Sequence, residues 1–241
     1  MARERDPRLR EEYVHTESGL ASDVTLVGVV HDHPASVYRT QKIVRERDPE
    51  VVALEAPPLA VPLYETYARN SSSETPAFGG EMSAAACAAA EAEANVVGID
   101  APTGAFLARL ARNCWDERAS TTTVRRVLSG VGSVTRHALV CRMAAAVATR
   151  TGLRVEVDSP VKHDCDSTDS PDVQARDERK QAEQTQSLLR AFDTPEPIRL
   201  RDDTREQHMA TRLASLRERG PVVAVVGLDH LDGITARLCE K

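Results

Sequence analysis

The sequence predicts an α/β fold, a single domain in which helices cover both faces of a mostly parallel central sheet. Short apolar runs rich in β-branched residues alternate with longer segments of helical periodicity, and this alternation is typical of parallel strands joined by helical crossovers. The apolar runs predict strands at 24–30, 51–54, 96–99, 153–157 and 222–226. The chain has 241 residues, enough for one large domain with a sizeable core.

The polar first 22 residues predict a frayed lead-in or an edge segment, so the α/β domain is expected over 23–241. Within it, residues 158–197 predict a polar insertion made of a loop and a helix, and the proline-rich stretch 56–78 predicts a partly helical cover over the sheet edge. Periodicity and caps predict further helices, one of them interrupted near Gly130 and Gly132. These helices are expected at about 36–47, 82–95, 103–112, 121–151, 174–191, 199–219 and 233–238.

Composition excludes several classes of protein. Hydrophobic residues make up 41% and charged residues 28%, and no apolar run approaches the ~20 residues of a membrane span. The charged N-terminus lacks the apolar segment of a secretory signal, so we expect a cytoplasmic protein. A net charge of −6 argues against nucleic acid as a partner. The sequence leaves open whether the chain forms a homodimer.

The five cysteines are widely spaced and include no Cys-x-x-Cys pair. This pattern indicates reduced thiols, without a disulfide framework or a zinc knuckle. His163 and Cys165 fall in the polar loop, where we interpret them as surface residues.

Two strands separated by almost the whole chain end in the same Gly-x-x-His signature. The first runs from Gly28 to His31, and the second from Gly227 to His230. Because ligands bind outside the carboxyl ends of parallel strands, the two imidazoles are expected to converge on one pocket. The roles of His33 and Asp229, which lie beside these histidines, stay open.

Carboxylates follow the same pattern. Glu55 and Asp100 each end a predicted strand, and Glu81 opens the alanine-rich helix. Taken singly, such residues are more often caps or turn residues. Imidazoles and carboxylates together suit a divalent metal such as Mn, Co, Zn or Fe, which would activate water. The predicted metal ligands are His31, His230, Glu55 and Glu81, with Glu55 or Glu81 as ligand or general base; the role of Asp100 stays open.

Arg205 lies one helical turn before Met209, on the predicted helix that precedes the last strand. The i to i+4 spacing puts the two side chains on one face, which carries Arg205 towards the interior. A buried guanidinium needs a partner, so we predict that Arg205 contacts Glu55, Glu81 or Asp100 and takes part in catalysis by orienting the site. The alternative is an exposed arginine on a solvated helix face.

Six motifs in order resemble the TraB/PrgY family over about residues 24–238. They are Gly28-Val-Val-His31, Leu54-Glu55, Gly80-Glu81-Met82, Val97-Gly-Ile-Asp100, Arg205-x-x-x-Met209 and Gly227-Leu-Asp-His230. That family is related to the Tiki metalloproteases and, more distantly, to erythromycin esterases and ChaN-like proteins. The chain departs from its usual pattern after His31, after Asp100 and in having no C-terminal membrane region.

The resemblance implies a metal-dependent hydrolase that uses the paired Gly-x-x-His motifs and a glutamate. Together with the strand-end residues, it predicts hydrolysis of peptides or of another amide or ester. The alternative is a non-catalytic protein that sequesters a peptide or small-molecule ligand in the same crevice. Turnover of a peptide library with added metal would separate the two.

Overall fold

The computed structural model describes residues 6–69, 78–153, 155–157, 159–191 and 194–239, with side chains described for all of these except 188–191. These residues form one five-stranded sheet with helices on both faces, which confirms the predicted α/β class. The strands are β1 (Val14–Glu17), β2 (Val24–Val29), β3 (Val51–Leu54), β4 (Asn95–Gly98) and β5 (Val222–Gly227).

The strand order is β1-β2-β5-β3-β4. Strand β5, the last in the chain, lies between β2 and β3 and is parallel to both. Strand β4 is parallel to β3 at one edge, and β1 closes the other edge in the antiparallel direction. The carboxyl ends of the four parallel strands therefore lie side by side, and this line of strand ends forms the C-terminal edge of the sheet.

Eight helices surround this sheet among the described residues. They are α1 (Pro34–Arg47), α2 (Val61–Arg69), α3 (Gly80–Glu91), α4 (Gly104–Asp116), α5 (Thr121–Thr151), α6 (Pro171–Ala191), α7 (Glu196–Leu216) and α8 (Leu228–Cys239). No described helix is both long enough and apolar enough to cross a membrane.

The two faces of the sheet bury alternate residues of each strand, as the period of two requires. In β5, Val222, Ala224 and Val226 face α7 and α8, where they pack with Met209 and other apolar residues. Val223 and Val225 of the same strand face α1 and α3, together with Ile43, Val44, Met82 and the buried alanines of α3. The sheet is thus the middle layer of three.

A buried ion pair joins α6 to this framework. Arg39 in α1 and Glu178 in α6 are both fully buried, and the Arg39 Nη1 atom donates to Glu178 Oε2 at 2.9 Å. Arg39 also donates to the carbonyl oxygen of Gly28 at 3.0 Å. These bonds hold the N-terminal half of α6 against the strand that leads to His31.

Three sequence predictions about elements are wrong. The described residues of 153–157 form no strand, because Val155 and Val157 pack against α2 and α5 instead of joining the sheet. Helix α5 runs unbroken through Gly130 and Gly132. Helix α8 begins at Leu228 rather than near Gly233, so His230 lies in its first turn. Residues 70–77, part of the predicted cover, lie outside the described residues.

Candidate functional site

The residues predicted from the strand ends do lie along one edge of the sheet. His31 follows β2, Glu55 follows β3, Asp100 follows β4, and His230 follows β5. Parallel pairing fixes these four positions, because neighbouring strands end at the same side. The side chains divide into two adjacent groups, one around Arg205 and one around His31.

Arg205 lies at the centre of the first group. Its guanidinium binds the Asp100 carboxylate through two hydrogen bonds, from Nε to Oδ1 at 3.0 Å and from Nη2 to Oδ2 at 2.8 Å. The Nη2 atom also donates to Glu55 Oε1 at 2.6 Å, and Nη1 donates to His230 Nε2 at 2.8 Å. The predicted contact between Arg205 and the strand-end carboxylates is therefore present.

Charge pairing makes this burial tolerable. The side chains of Glu55 and Asp100 are 5% and 9% exposed, and that of Arg205 is 20% exposed. Burial works against the charged form of Arg205, but the hydrogen bonds and charge of Asp100, followed by the charge of Glu55, raise its pKa above the usual value. The guanidinium is permanently charged and pairs with both carboxylates, so these three groups together keep one negative charge.

His230 is fixed at both ring nitrogens. Its Nε2 atom accepts from Arg205, and its Nδ1 atom lies 3.2 Å from Glu206 Oε1. The hydrogen-bond pattern therefore places the proton of a neutral ring on Nδ1, donated to Glu206. Gly227 donates its N–H to Glu55 Oε2 at 2.6 Å, which ties the end of β5 to the same carboxylate.

His31 and Glu81 form the second group. The Nδ1 atom of His31 lies 2.7 Å from Glu81 Oε1, while the other carboxylate oxygen accepts from the Asp32 backbone N–H at 2.8 Å. The hydrogen bond to Glu81 raises the pKa of His31 to about 9 against the smaller opposing effect of burial. No described residue bonds the Nε2 atom of His31, and the side chain is 55% exposed.

A glycine turn brings Glu81 to His31. Gly79 and Gly80 both have positive φ, and a Cβ atom at Gly80 would collide with the Asp32 side chain. Glu81 then opens α3, where backbone N–H groups favour a negative charge. Asp32 itself has a φ of 59°, so two left-handed turns face each other at this point.

A cavity of about 360 Å³ opens beside this pair. Its polar wall contains His31, Asp32, Glu55 and Glu81. Its apolar wall comes from α2, α3, α5 and the segment before α3, and includes Leu63, Tyr64, Tyr67, Phe78, Met82 and Cys141. Size and lining match those of a small-molecule pocket with a few convergent polar groups. Arg205 and His230 are not among its described lining residues, and their contact with Glu55 links them to its wall.

The donors of His31, His230, Glu55 and Glu81 do not converge on one ion position in this arrangement. The Nε2 lone pair of His230 and both Glu55 oxygens already accept hydrogen bonds. Arg205 supplies the positive charge that a metal ion would otherwise bring. The arrangement of these four residues does not fit a bound metal while Arg205 keeps its contacts.

A different group has the geometry of a metal site. Among the described residues, ligand atoms of His33, His163 and Asp177 all lie within 4.8 Å of one another. His163 and Cys165, which the sequence favours as surface residues, are half-buried, and Cys165 Sγ also lies 3.5 Å from His33 Nε2. These contacts join residues more than a hundred positions apart, and the one local signal was His163 and Cys165 two positions apart in an acidic loop.

No family model matches this chain, and neither a curated protein nor a solved structure matches it.

Proposed function

We propose that this chain is a hydrolase that cleaves an amide or ester bond in the cavity beside His31. The observation that carries the proposal is the His31–Glu81 pair at the cavity wall. Glu81 fixes one ring nitrogen of His31 and leaves Nε2 without a described partner. A histidine oriented in this way by a carboxylate is a common proton-transfer group in hydrolases.

In this proposal His31 transfers a proton between water and the leaving group, and Glu81 positions the His31 ring. The ring acts in its neutral form, which the raised pKa of about 9 makes the minor form at neutral pH, so the reaction should speed up as the pH approaches 9. This neutral ring takes a proton from water at Nε2 as the water attacks the substrate carbonyl carbon. The protonated ring then returns that proton to the leaving nitrogen or oxygen, so the ring ends the cycle unchanged. Glu55 provides a fixed negative charge at the cavity wall, and Arg205 holds Glu55 in place.

The sequence-based hypothesis also includes a metal ion at the four predicted ligands. A divalent Mn, Co, Zn or Fe ion at His31, Glu55, Glu81 and His230 would require Arg205 to withdraw from Glu55 and His230. We therefore route no step of the reaction through a metal at these residues. The TraB/PrgY resemblance supports the hydrolase class through the same motifs, since all six contribute residues to the edge of the sheet or its supporting helix.

The cavity lining supports a peptide or small-molecule substrate with an apolar group. Tyr64, Tyr67 and Phe78 offer aromatic surface opposite the polar wall. A volume near 360 Å³ accommodates one large side chain or a small acyl group. We propose a cytoplasmic location for this reaction, as the sequence predicts.

A ligand-sequestering protein is the second candidate. Its support is the Arg205 group, in which the charged groups of Glu55, Asp100 and Arg205 pair with one another. Such a self-contained network can hold Glu55 rigidly at the cavity wall for binding without chemistry. In this case ligands would enter the same cavity and leave unchanged.

Turnover of fluorogenic peptide and ester libraries tests the two functions. We expect product formation by the untagged wild-type protein and a loss of at least about 100-fold in His31→Ala and Glu81→Gln, as for removal of a general base. Glu91→Gln, at an exposed position near the end of the same helix, is the matched control and should keep full activity. Saturable binding with no turnover, under chelator and under added metal alike, would establish the sequestering protein instead.

A further inference from the structure

Next to the cavity, a loop folds back onto the turn that carries His31. Two residues of the described loop 159–170 make hydrogen-bond contacts with this turn. The Val161 N–H donates to Asp32 Oδ2 at 3.0 Å, and His163 Nε2 lies 3.0 Å from the carbonyl oxygen of His31. Val161 is itself 56% exposed, so apolar burial does little to hold this loop in place.

Four side chains with metal-binding atoms meet where the loop docks. His33 Nε2 lies 3.2 Å from Asp177 Oδ2 and 3.5 Å from Cys165 Sγ, and a ring nitrogen of His163 lies within 4.8 Å of the His33 and Asp177 atoms. The His33 and His163 rings are 4.8 Å apart in an edge-on arrangement. Ligands around a tetrahedral ion at ordinary bond lengths are separated by about 3 to 4 Å.

The donor set also has the right chemistry. Two imidazoles, one thiol and one carboxylate are the nitrogen, sulfur and oxygen donors that Zn²⁺ accepts, and four protein ligands are typical of a closed structural site. The donors come from three separate segments: the start of α1, the loop, and α6. His33 is fully buried, whereas Asp177 is 9% exposed.

We propose that His33, His163, Cys165 and Asp177 bind one zinc-type divalent metal ion, which ties the loop and α6 to the turn that carries His31. This site is distinct from the predicted set of His31, His230, Glu55 and Glu81. The proposal stands independently of the hydrolase function, because it depends only on the four side chains that meet at the loop.

The other hydrogen bonds of the four residues are compatible with metal binding. The Nε2–H of His163 can keep its bond to the His31 carbonyl oxygen, which leaves Nδ1 for the metal. A backbone carbonyl is a common partner for the second nitrogen of a ligating histidine. Nδ1 of His163 now faces Gln181, whose amide also donates to Asp177 Oδ2 at 2.8 Å. Gln181 thus occupies the bonds that the ion would take over.

Binding requires proton changes at three residues. Nδ1 of His163 faces the acceptor Gln181 Oε1 and must give up its proton, so that the ring binds with its remaining proton on Nε2. The Cys165 thiol loses its proton to solvent, since the thiolate is the form that ligates. The proton of His33 moves from Nε2 to Nδ1, because Nδ1 accepts from the Ala35 N–H at 3.1 Å without a metal. Metal binding therefore breaks this cap at the start of α1, and the Ala35 amide reports on the site.

Metal analysis and cobalt spectroscopy test the proposal on full-length protein purified without a tag. We expect about one equivalent of zinc per chain, removable by chelator. Reloading with Co²⁺ should give tetrahedral d–d bands and a thiolate-to-cobalt charge-transfer band. The charge-transfer band should vanish in Cys165→Ser and persist in Cys239→Ser, which changes an exposed cysteine elsewhere in the chain.

Two further measurements keep the proposal falsifiable if a variant folds poorly. In wild-type protein, zinc addition after chelation should shift the Ala35 amide resonance and raise the melting temperature. His31→Ala should bind zinc as the wild type does, whereas Asp177→Asn should bind it at least about tenfold more weakly, as loss of a ligand predicts. Folded wild-type protein that takes up no zinc, or a cobalt spectrum without the thiolate band, would overturn the proposal and leave a purely hydrogen-bonded contact.

Discussion

At the scale of single residues, Arg205 is the cation around which the buried charges at the sheet edge are arranged. Its two bonds to Asp100 use the planar fork of the guanidinium, and the third carboxylate bond goes to Glu55. Both carboxylates are almost fully buried. Removing the arginine leaves two buried negative charges without the cation that they share.

We therefore expect Arg205→Ala to lower the free energy of unfolding by about 3 kcal/mol, the cost typical of breaking a buried ion pair. Arg205→Lys should fall between Ala and wild type, because lysine keeps the charge and loses the fork. Arg199→Ala is the matched control on the same helix. Its pair with Glu117 involves a side chain 48% exposed, so the loss should be much smaller than at 205. Urea denaturation measures all three, and equal effects at 205 and 199 would contradict the prediction.

His31 gives a prediction about pH. Its pKa is raised to about 9 by Glu81, so the folded state favours the charged ring. This stabilisation is complete below the ordinary value near 6.5 and is lost as the pH rises through about 9. In Glu81→Gln the pKa should fall towards the ordinary value. Chelator-treated protein followed by NMR of the imidazole protons measures this.

Two further results would check that Glu81 is the cause of the raised His31 pKa. The stability difference between wild type and Glu81→Gln should shrink between pH 6 and pH 10, in line with the titration of His31. Glu91→Gln, on the same helix and exposed, should leave the His31 titration where it is. A His31 pKa that is the same with and without the Glu81 carboxylate would show that the pair does not form in solution.

At the scale of elements, the turn before α3 decides whether Glu81 reaches His31. Gly80 has a φ of 46°, and a Cβ atom there would also come within 3.1 Å of the Asp32 Cα atom. Gly80→Ala should cost about 1–2 kcal/mol from the left-handed backbone alone. It should also move the His31 pKa downward, because the turn no longer places Glu81.

Gly104→Ala is the matched control for that turn. Gly104 is the first residue of α4, and a Cβ atom there meets no atom within 4 Å. Alanine is the better helix former, so stability should stay the same or rise by up to about 1 kcal/mol. Thermal and urea unfolding of both variants would test the contrast, and equal losses would show that the glycine turn is not specifically required.

The sequence predicted most elements because their signals are local. The apolar runs of β2, β3 and β5 carry β-branched residues between polar stops, and each of these strands lies within one or two residues of its predicted range. The error at 153–157 has a tertiary cause: Tyr67 Oη donates to the Val155 carbonyl oxygen, and the segment lines the cavity instead of pairing with a strand. No local property of the segment distinguishes the two outcomes.

The site residues also divide into those that local sequence signals predict and those that depend on tertiary contacts. Strand ends and the Arg205 helix follow from sequence, because parallel topology brings carboxyl ends together and helical periodicity turns Arg205 inward. The group of His33, His163, Cys165 and Asp177 does not follow from sequence. His163 and Cys165 come together with His33, about 130 positions earlier, and with Asp177 on α6 only in the folded chain. The family resemblance and the catalytic roles of Glu55, Glu81 and Arg205 stay predictions.

At the scale of the whole molecule, chain order and spatial order differ in a way that matters for the site. The last strand, β5, occupies the centre of the sheet and supports both β2 and β3. His31, Glu55 and His230 therefore gain their relative positions only when the C-terminal segment has been inserted. Folding of the sheet and assembly of the site should be one cooperative event.

Native-state hydrogen exchange tests this cooperativity. All six residues of β5 are buried, and the strand has a parallel partner on each side, so its amides should open only by global unfolding. Among the described strands, β4 pairs with β3 alone and begins at an exposed residue, and β1 pairs with β2 alone, so both should exchange through smaller, local openings. A destabilising Arg205→Ala change should accelerate exchange in β5 by the same factor as global unfolding and change β1 much less. If β5 instead exchanged faster than β1, the C-terminal strand would be the last and weakest addition to the sheet, and the proposed coupling between folding and site assembly would fail.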